Sequence, residues 1–324
     1  MNRRRAVLAA LGVAALAPLV VRPQTQRPRV GVLTSIALDK SAFFPPFVKR
    51  FAELGYIDKR TVNLDVRSSL GNPALLPKLA QGLLDTRPEL IVALGTLLDV
   101  RVLQEAKVDV PVVFIAVNYD PVDTRIVSSY SRPDGNFTGV YVPQALLAAK
   151  RLELTRELLA SLARVLVMSD RYSNYQLDSV RKAAAGARIQ AEIFQFGAQP
   201  YDYAAALERG RAARSEALVG LASPEFQSQS TEIAKLCLKY RLPSVGFLHL
   251  QTEAGYLASY GAEADTISGR AAVIADRVLR GARPAEIPVE QANEYSIAVN
   301  LKTARALGFK IPNSIMLRAD RVFE

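Results

Sequence analysis

Two short apolar runs within residues 88–139 constrain this chain more than any other feature. The first is Leu90-Ile91-Val92-Ala93-Leu94, and the second is Val112-Val113-Phe114-Ile115-Ala116. Turn residues bound both runs, and about a dozen helix-compatible residues separate them, the length a parallel crossover needs. A run of this length without polar alternation suits a strand covered on both faces, and such strands occur in parallel sheets. The stretch therefore predicts a buried βαβ unit. Its strands end in small or polar groups, Gly95-Thr96 after the first and Asn118-Tyr119-Asp120 after the second. Ligands of open α/β sheets bind beyond the carboxyl ends of the strands, so these ends are the first candidate functional positions.

The same alternation runs through the rest of the chain. Strands are expected at 29–35 and 62–67, with helices at 41–55 and 75–84. After a helix at 144–162, a second series places strands at 164–170, 188–196, 217–222 and 244–248. A strand at 256–261 is expected to return to the first series, followed by a helix at 267–279 and a last strand at 294–299. Strands and helices in turn predict an α/β fold with doubly wound parallel sheets. At 324 residues the chain suits two lobes rather than one core.

Composition narrows the function. Cys237 and His249 are the sole cysteine and histidine, so no disulfide can close within the chain and a Cys/His metal site is disfavoured. A catalytic triad would have to use His249, which sits in an apolar, strand-like run and reads as a packed or strand-end residue. No glycine-rich phosphate loop, Walker sequence or G-x-S-x-G motif is present. The reading is of a non-enzyme without cofactor or metal; a two-lobed α/β enzyme acting on a small molecule is the rival class. The net charge of +10 falls to +6 without the four arginines of residues 1–24, and no basic cluster interleaves with aromatics. Nucleic acid is therefore not an expected partner. Residues 1–24 combine Arg3-Arg4-Arg5 with an apolar run and read as an export signal or N-terminal anchor, with a loose twin-arginine pattern. No cysteine follows that run, which argues against a lipoprotein, so the expected location is periplasmic.

The segments PELIVALGT (88–96), VPVVFIAVNYDP (110–121) and RPDGNFTG (132–139) resemble the tryptophan/tyrosine-type substrate-binding proteins of ABC transporters. KRLEL at 150–154, Ser259-Tyr260-Gly261 and NLKTARALG at 300–308 resemble the same family. The resemblance implies the type I periplasmic-binding-protein fold: two doubly wound parallel-sheet lobes joined by a hinge, crossed three times. Residues 27–139 with 262–293 would form lobe 1, and 140–261 with 294–324 lobe 2. It further implies capture of a small, amino-acid-like ligand and delivery to a membrane permease driven by a separate ATPase. A ligand-sensing input for a receptor or kinase is the alternative. Two departures stand out: Asp58-Lys59-Arg60 in a turn where the family has glycine, and Tyr256 in place of a second glycine. The second would put bulk near the cleft edge or hinge of lobe 2.

The expected ligand-binding positions are Thr34, Ser35, Gly95, Thr96, Asn118, Tyr119 and Asp120 on one lobe. Asp170, Ser223, Gly246 and Phe247 are their counterparts on the other. Hydroxyls and amides at helix starts suit a carboxylate, and they equally serve as helix caps. Two roles fit Asp120, an Asx turn before Pro121 or a partner for a ligand ammonium, and Asp170 has the same pair of roles. Tyr119, Tyr172, Phe226 and Phe247 lie near these ends. If two or more face the cleft, an aromatic or branched apolar ligand group follows.

Overall fold

A computed structural model describes residues 27–324; the expected export signal lies outside them. Its first sheet contains β1 (Arg29–Thr34), β2 (Asn63–Ser68), β3 (Leu90–Gly95), β4 (Val112–Ala116) and β5 (Phe137–Tyr141). The second contains β6 (Arg164–Ser169), β7 (Gln190–Gln195), β8 (Ala217–Gly220), β9 (Ser244–Gly246) and β10 (Ala258–Ala262). The short β11 (Glu290–Gln291) joins the first sheet, while β12 (Tyr295–Asn300) and β13 (Arg321–Phe323) join the second. The first sheet runs β11-β5-β4-β3-β1-β2 and the second β13-β12-β10-β9-β8-β6-β7.

Helices cover both faces of each sheet. Those of the first series are α1 (Phe44–Glu53), α2 (Leu76–Asp85) and α3 (Leu97–Glu105). The second series carries α4 (Gln144–Leu158), α5 (Leu177–Ala187), α6 (Tyr203–Ala212), α7 (Pro224–Ser228), α8 (Ser230–Lys239) and α9 (His249–Glu253). The helix α10 (Ala264–Leu279) returns to the first sheet, packing Ile267, Ala271 and Ile274 against Val92 and Val113. β3 and β4 are buried along their whole length, as their unbroken apolar sequence requires.

Two expectations need correction. The strand expected to return to the first series is an interior strand of the second sheet: β10 pairs with β9, and the chain passes back only after Ala262. The second sheet is also mixed, because β12 runs antiparallel to β10. Both follow from sheet pairing, a long-range choice that local periodicity does not encode.

Each sheet reverses strand order once. β1 lies between β2 and β3, and β6 lies between β7 and β8. At these switch points the connections leave in opposite directions and open a crevice at the strand ends. Near the passages between sheets, charged groups collect. Glu263, between β10 and α10, accepts hydrogen bonds from Ser296 and from Arg321 at 3.1 Å, and His249 Nδ1 lies 3.0 Å away. Arg151 is wholly buried and donates to Gln144 Oε1, Gln176 Oε1 and the Tyr260 carbonyl. Burial pushes its guanidinium down to about 9, which leaves it charged at neutral pH.

The His249 contact, helped by Ser296 and Arg321, holds the Glu263 carboxyl at about 2 against an ordinary 4.5. A carboxyl depressed on folding stabilises above its unfolded value, and that contribution is lost as pH falls through the folded one. Glu263→Gln is therefore expected to lower the thermal midpoint at pH 7, with the gap to the parent closing between pH 4.5 and 2. A gap that persists at pH 2 would locate the effect in packing instead.

Candidate functional site

The crevice begins where the parallel strands stop. Gly95 closes β3 at φ +120°, a region open to glycine, and a Cβ there would lie 3.0 Å from Ile36 Cδ1. That turn sets Thr96 at the start of α3, directly beside Ser35 at the end of β1. The two hydroxyls are 3.0 Å apart and both reach the buried Asp99 Oδ2, Ser35 at 3.2 Å and Thr96 at 3.0 Å. The Thr96 amide donates to the same oxygen at 2.9 Å. Burial pushes the Asp99 carboxyl up to about 7, against these hydrogen bonds, which favour its ionised form.

The second sheet repeats the device. Asp170, after β6, is 0% exposed; its Oδ1 accepts the Tyr172 and Ser173 amides and the Ser173 hydroxyl. Its Oδ2 takes the Ser223 hydroxyl, at the end of β8, at 2.5 Å. Burial raises the Asp170 carboxyl despite those donors. Each buried carboxylate thus straddles the switch point of its own sheet and holds a cleft hydroxyl in place.

Between the two walls lies a tight cavity of about 30 Å³, with a larger chamber of about 450 Å³ alongside it that shares Asn118. Ile36, Ala42, Phe43 and Val117 line the tight cavity from the first lobe, with Phe247 and Leu248 facing them from the second. Thr96, Asn118, Ser223 and Gln227 supply polar groups, with Lys40 at the edge. Two of those groups are left open: Asn118 Oδ1 and Gln227 Oε1 are buried and have no hydrogen-bond partner. Buried acceptors are nearly always satisfied, so an unpaired couple lining one cavity points to a donor that arrives from outside. Gly261 secures this wall, because any Cβ there would meet the Phe247 carbonyl at 1.9 Å. Adjoining chambers are lined by Ser35 and Tyr172 on one side, and by Tyr119, Asp120, Arg171, Tyr172 and Tyr175 on the other. The Tyr175 hydroxyl bridges the lobes to the Val117 carbonyl at 3.3 Å.

Of the expected positions, Gly95, Thr96, Asn118, Ser223 and Phe247 line the central cavity, while Ser35, Tyr119 and Asp120 line its neighbours. Thr34 is turned inward, donating to the Leu94 carbonyl. Gly246 is packed against the Gln251 side chain inside β9, and Asp170 stands behind Ser223. The Asp120 Asx turn is present: Oδ1 accepts the Val122 and Asp123 amides, and Oδ2 accepts the Tyr130 hydroxyl. Burial pushes the Asp120 carboxyl up, but these hydrogen bonds outweigh it and hold the group below the usual range. Phe226 is a core residue. Tyr256 is core as well, 1% exposed beneath β8 with Cys237 and Leu242, rather than at the cleft edge or hinge where it was expected. Tyr119, Tyr172 and Phe247 do line cleft cavities, which meets the condition set for an aromatic or branched apolar ligand group. Sequence reading passed over Asp99, Gln227, Ile36, Phe43 and Lys40. For Asp99 a signal existed, since a threonine followed three residues later by a carboxylate is a capping pattern.

A sequence profile of the family described as "ABC transporter substrate binding protein" matches residues 46–323. The chain is 24% identical over 264 residues to a tyrosine-binding protein of Clostridioides difficile (strain R20291), covering 81% of this chain and 75% of that one. Its fold is similar to an ABC domain from Streptococcus pneumonia solved with L-Trp (TM-score 0.82, 22% identity, covering 92% of this chain and all of that one). It is equally similar to a conserved domain protein from Vibrio cholerae (TM-score 0.83, 21% identity, with the same coverage).

Two outcomes follow for the buried carboxylates. Asp99 sits at about 7 when folded against an ordinary 3.8, so its contribution is complete below pH 3.8 and lost as pH rises through 7. The ligand-free thermal midpoint is expected to fall across that window, and Asp99→Asn to flatten the fall; an equally steep fall in the variant would remove Asp99 as its source. Ser223→Ala strips a donor from buried Asp170 and should lower unfolding free energy in urea by about 1–3 kcal/mol.

Proposed function

The chain belongs to the ABC transporter substrate-binding proteins, and from that premise we propose that it captures an aromatic amino acid or close analogue between its two lobes. The observation that carries this reading is the central cavity. Its lining is mostly apolar and aromatic, with few polar groups, the usual make-up of a small-molecule site. Its two orphan acceptors, Asn118 Oδ1 and Gln227 Oε1, suit the N–H or O–H of a polar aromatic ring or an ammonium. The tyrosine and L-Trp named for the relatives are ligands of this kind. Lys40 and Arg171 at the cleft edges would attract a carboxylate.

A ligand that touches both walls favours the arrangement in which the walls meet, so binding shifts the lobes toward closure. The closed form would dock on a membrane permease energised by a separate ATPase. Residues 1–24 would direct the chain to the periplasm. No covalent step is assigned to the cleft. Its hydroxyls are committed to buried carboxylates, and His249 lies beside Glu263, outside the cavity lining.

Thermal unfolding of the purified protein against a panel of amino acids, sugars and nucleosides tests the reading. A ligand that binds only the folded state adds about 2.7 kcal/mol at a hundred times its Kd. The midpoint should rise with tyrosine, tryptophan or phenylalanine and stay put with sugars and nucleosides. A rise confined to a non-amino-acid class would reject the proposed ligand.

A further inference from the structure

Asp99 is buried far more deeply than a helix cap requires. Its side chain is 0% exposed, and its hydrogen bonds come from the Thr96 amide and hydroxyl and the Ser35 hydroxyl, all to Oδ2. Oδ1 is buried with no partner. Among the described residues no lysine, arginine or histidine forms an ion pair with it. The titratable group nearest in its influence is Tyr119, beyond the end of β4, whose buried hydroxyl also lacks a partner and is pushed further up by the Asp99 charge. Arg101, on the same helix, turns to Gln104 and the Thr124 carbonyl. A buried carboxylate without a cation is costly when ionised, and relief has to come either from a proton held on the group or from a cation outside the fold.

Proton counting shows where. Ser35 and Thr96 each own one hydroxyl proton. When Asp99 is ionised, both protons point toward it, directly or in series across the 3.0 Å Ser35–Thr96 contact. The two oxygens then offer only lone pairs to the cleft chambers that these residues line. Acceptors backed by a negative charge attract an ammonium and repel a carboxylate. When Asp99 is protonated it donates instead, one hydroxyl proton is freed, and the wall reverses its preference.

We propose that Asp99 is a positioning residue that makes the Ser35–Thr96 wall select the protonated amine of the bound solute, the ligand supplying the counter-charge the fold omits. This deepens the amino-acid reading and rests on it. The amine stays outside Asp99's contact shell and acts through the two hydroxyls. Because the free carboxyl sits at about 7, a cation arriving beside it drives off a proton. In the fraction protonated at the start, the Asp99 O–H bond breaks, the proton leaves to buffer, and the carboxylate remains opposite the ammonium.

Titration calorimetry on the full protein tests this with L-tyrosine and L-tryptophan, their desamino acids 3-(4-hydroxyphenyl)propanoate and 3-(indol-3-yl)propanoate, and buffers of different ionisation enthalpy. The wild type should release protons on binding the amino acid near pH 6.5 and bind it progressively more weakly from pH 8 to 6. Asp99→Asn should lose at least tenfold in amino-acid affinity, keep or improve affinity for the desamino acid, and lose the proton release. Equal loss for both ligands, unchanged amino-acid affinity in the variant, or no proton release from the wild type would each overturn the assignment. The last needs no variant and so survives a folding defect. A wild type that binds no aromatic amino acid at all would overturn the amino-acid reading and this inference together, whereas a binding wild type with an indifferent Asp99→Asn overturns this inference alone.

Discussion

A parallel strand buried on both faces has to end in groups that can satisfy a buried backbone, and the cleft of this protein is built from such ends. β1, β3 and β4 enter the first-lobe core as largely apolar segments, and β6 and β8 do the same in the second. Where each ladder stops, a polar residue turns the chain into the next helix. Thr96 and Ser223 both occupy that position, each with its hydroxyl directed to a buried carboxylate. Because both sheets reverse strand order, the carboxylates fall at equivalent places on facing walls. The geometry of the cleft is thus a by-product of parallel pairing and strand order.

Electrostatics then divides the molecule into two regions. Glu263, near the inter-sheet passages, is satisfied by Ser296, Arg321 and His249, and these partners hold its carboxyl low. At the cleft, burial wins, and Asp99 and Asp170 are pushed up. Arg151 joins the regions: its neutral acceptors include Gln144 at the start of α4 and Gln176, whose own side chain clamps both polar backbone groups of Ala222 on the cleft wall. Under-compensated charge therefore lies at the cleft, and well-compensated charge lies near the passages between the sheets.

The sequence carried the fold class clearly, and the reasons can be seen in particular residues. Leu90 to Leu94 could only be a doubly covered strand, and Gly95-Thr96 after it could only be an exit. Asp120 is different. Its Asx turn was legible from Pro121, while its hydrogen bond to Tyr130 was not, because that partner is chosen by loop packing. Tyr256 read as bulk at the cleft edge or hinge, yet it fills the second-lobe core beneath β8, since the course of the chain between α9 and β10 sends its ring inward.

The sequence by itself determined the alternation of strands and helices, the polar character of the strand ends and the family to which the chain belongs. These are local properties, set by apolar run length, turn chemistry and the order of motifs. Tertiary structure alone decided that β10 is interior to the second sheet, that Asp99 stands behind Ser35 and Thr96, and that Asn118 and Gln227 present unpaired acceptors to one cavity. Each of these joins residues far apart in the chain or depends on which side of a strand end is buried. Sheet order and lobe apposition settle such matters, and they are written in no single segment.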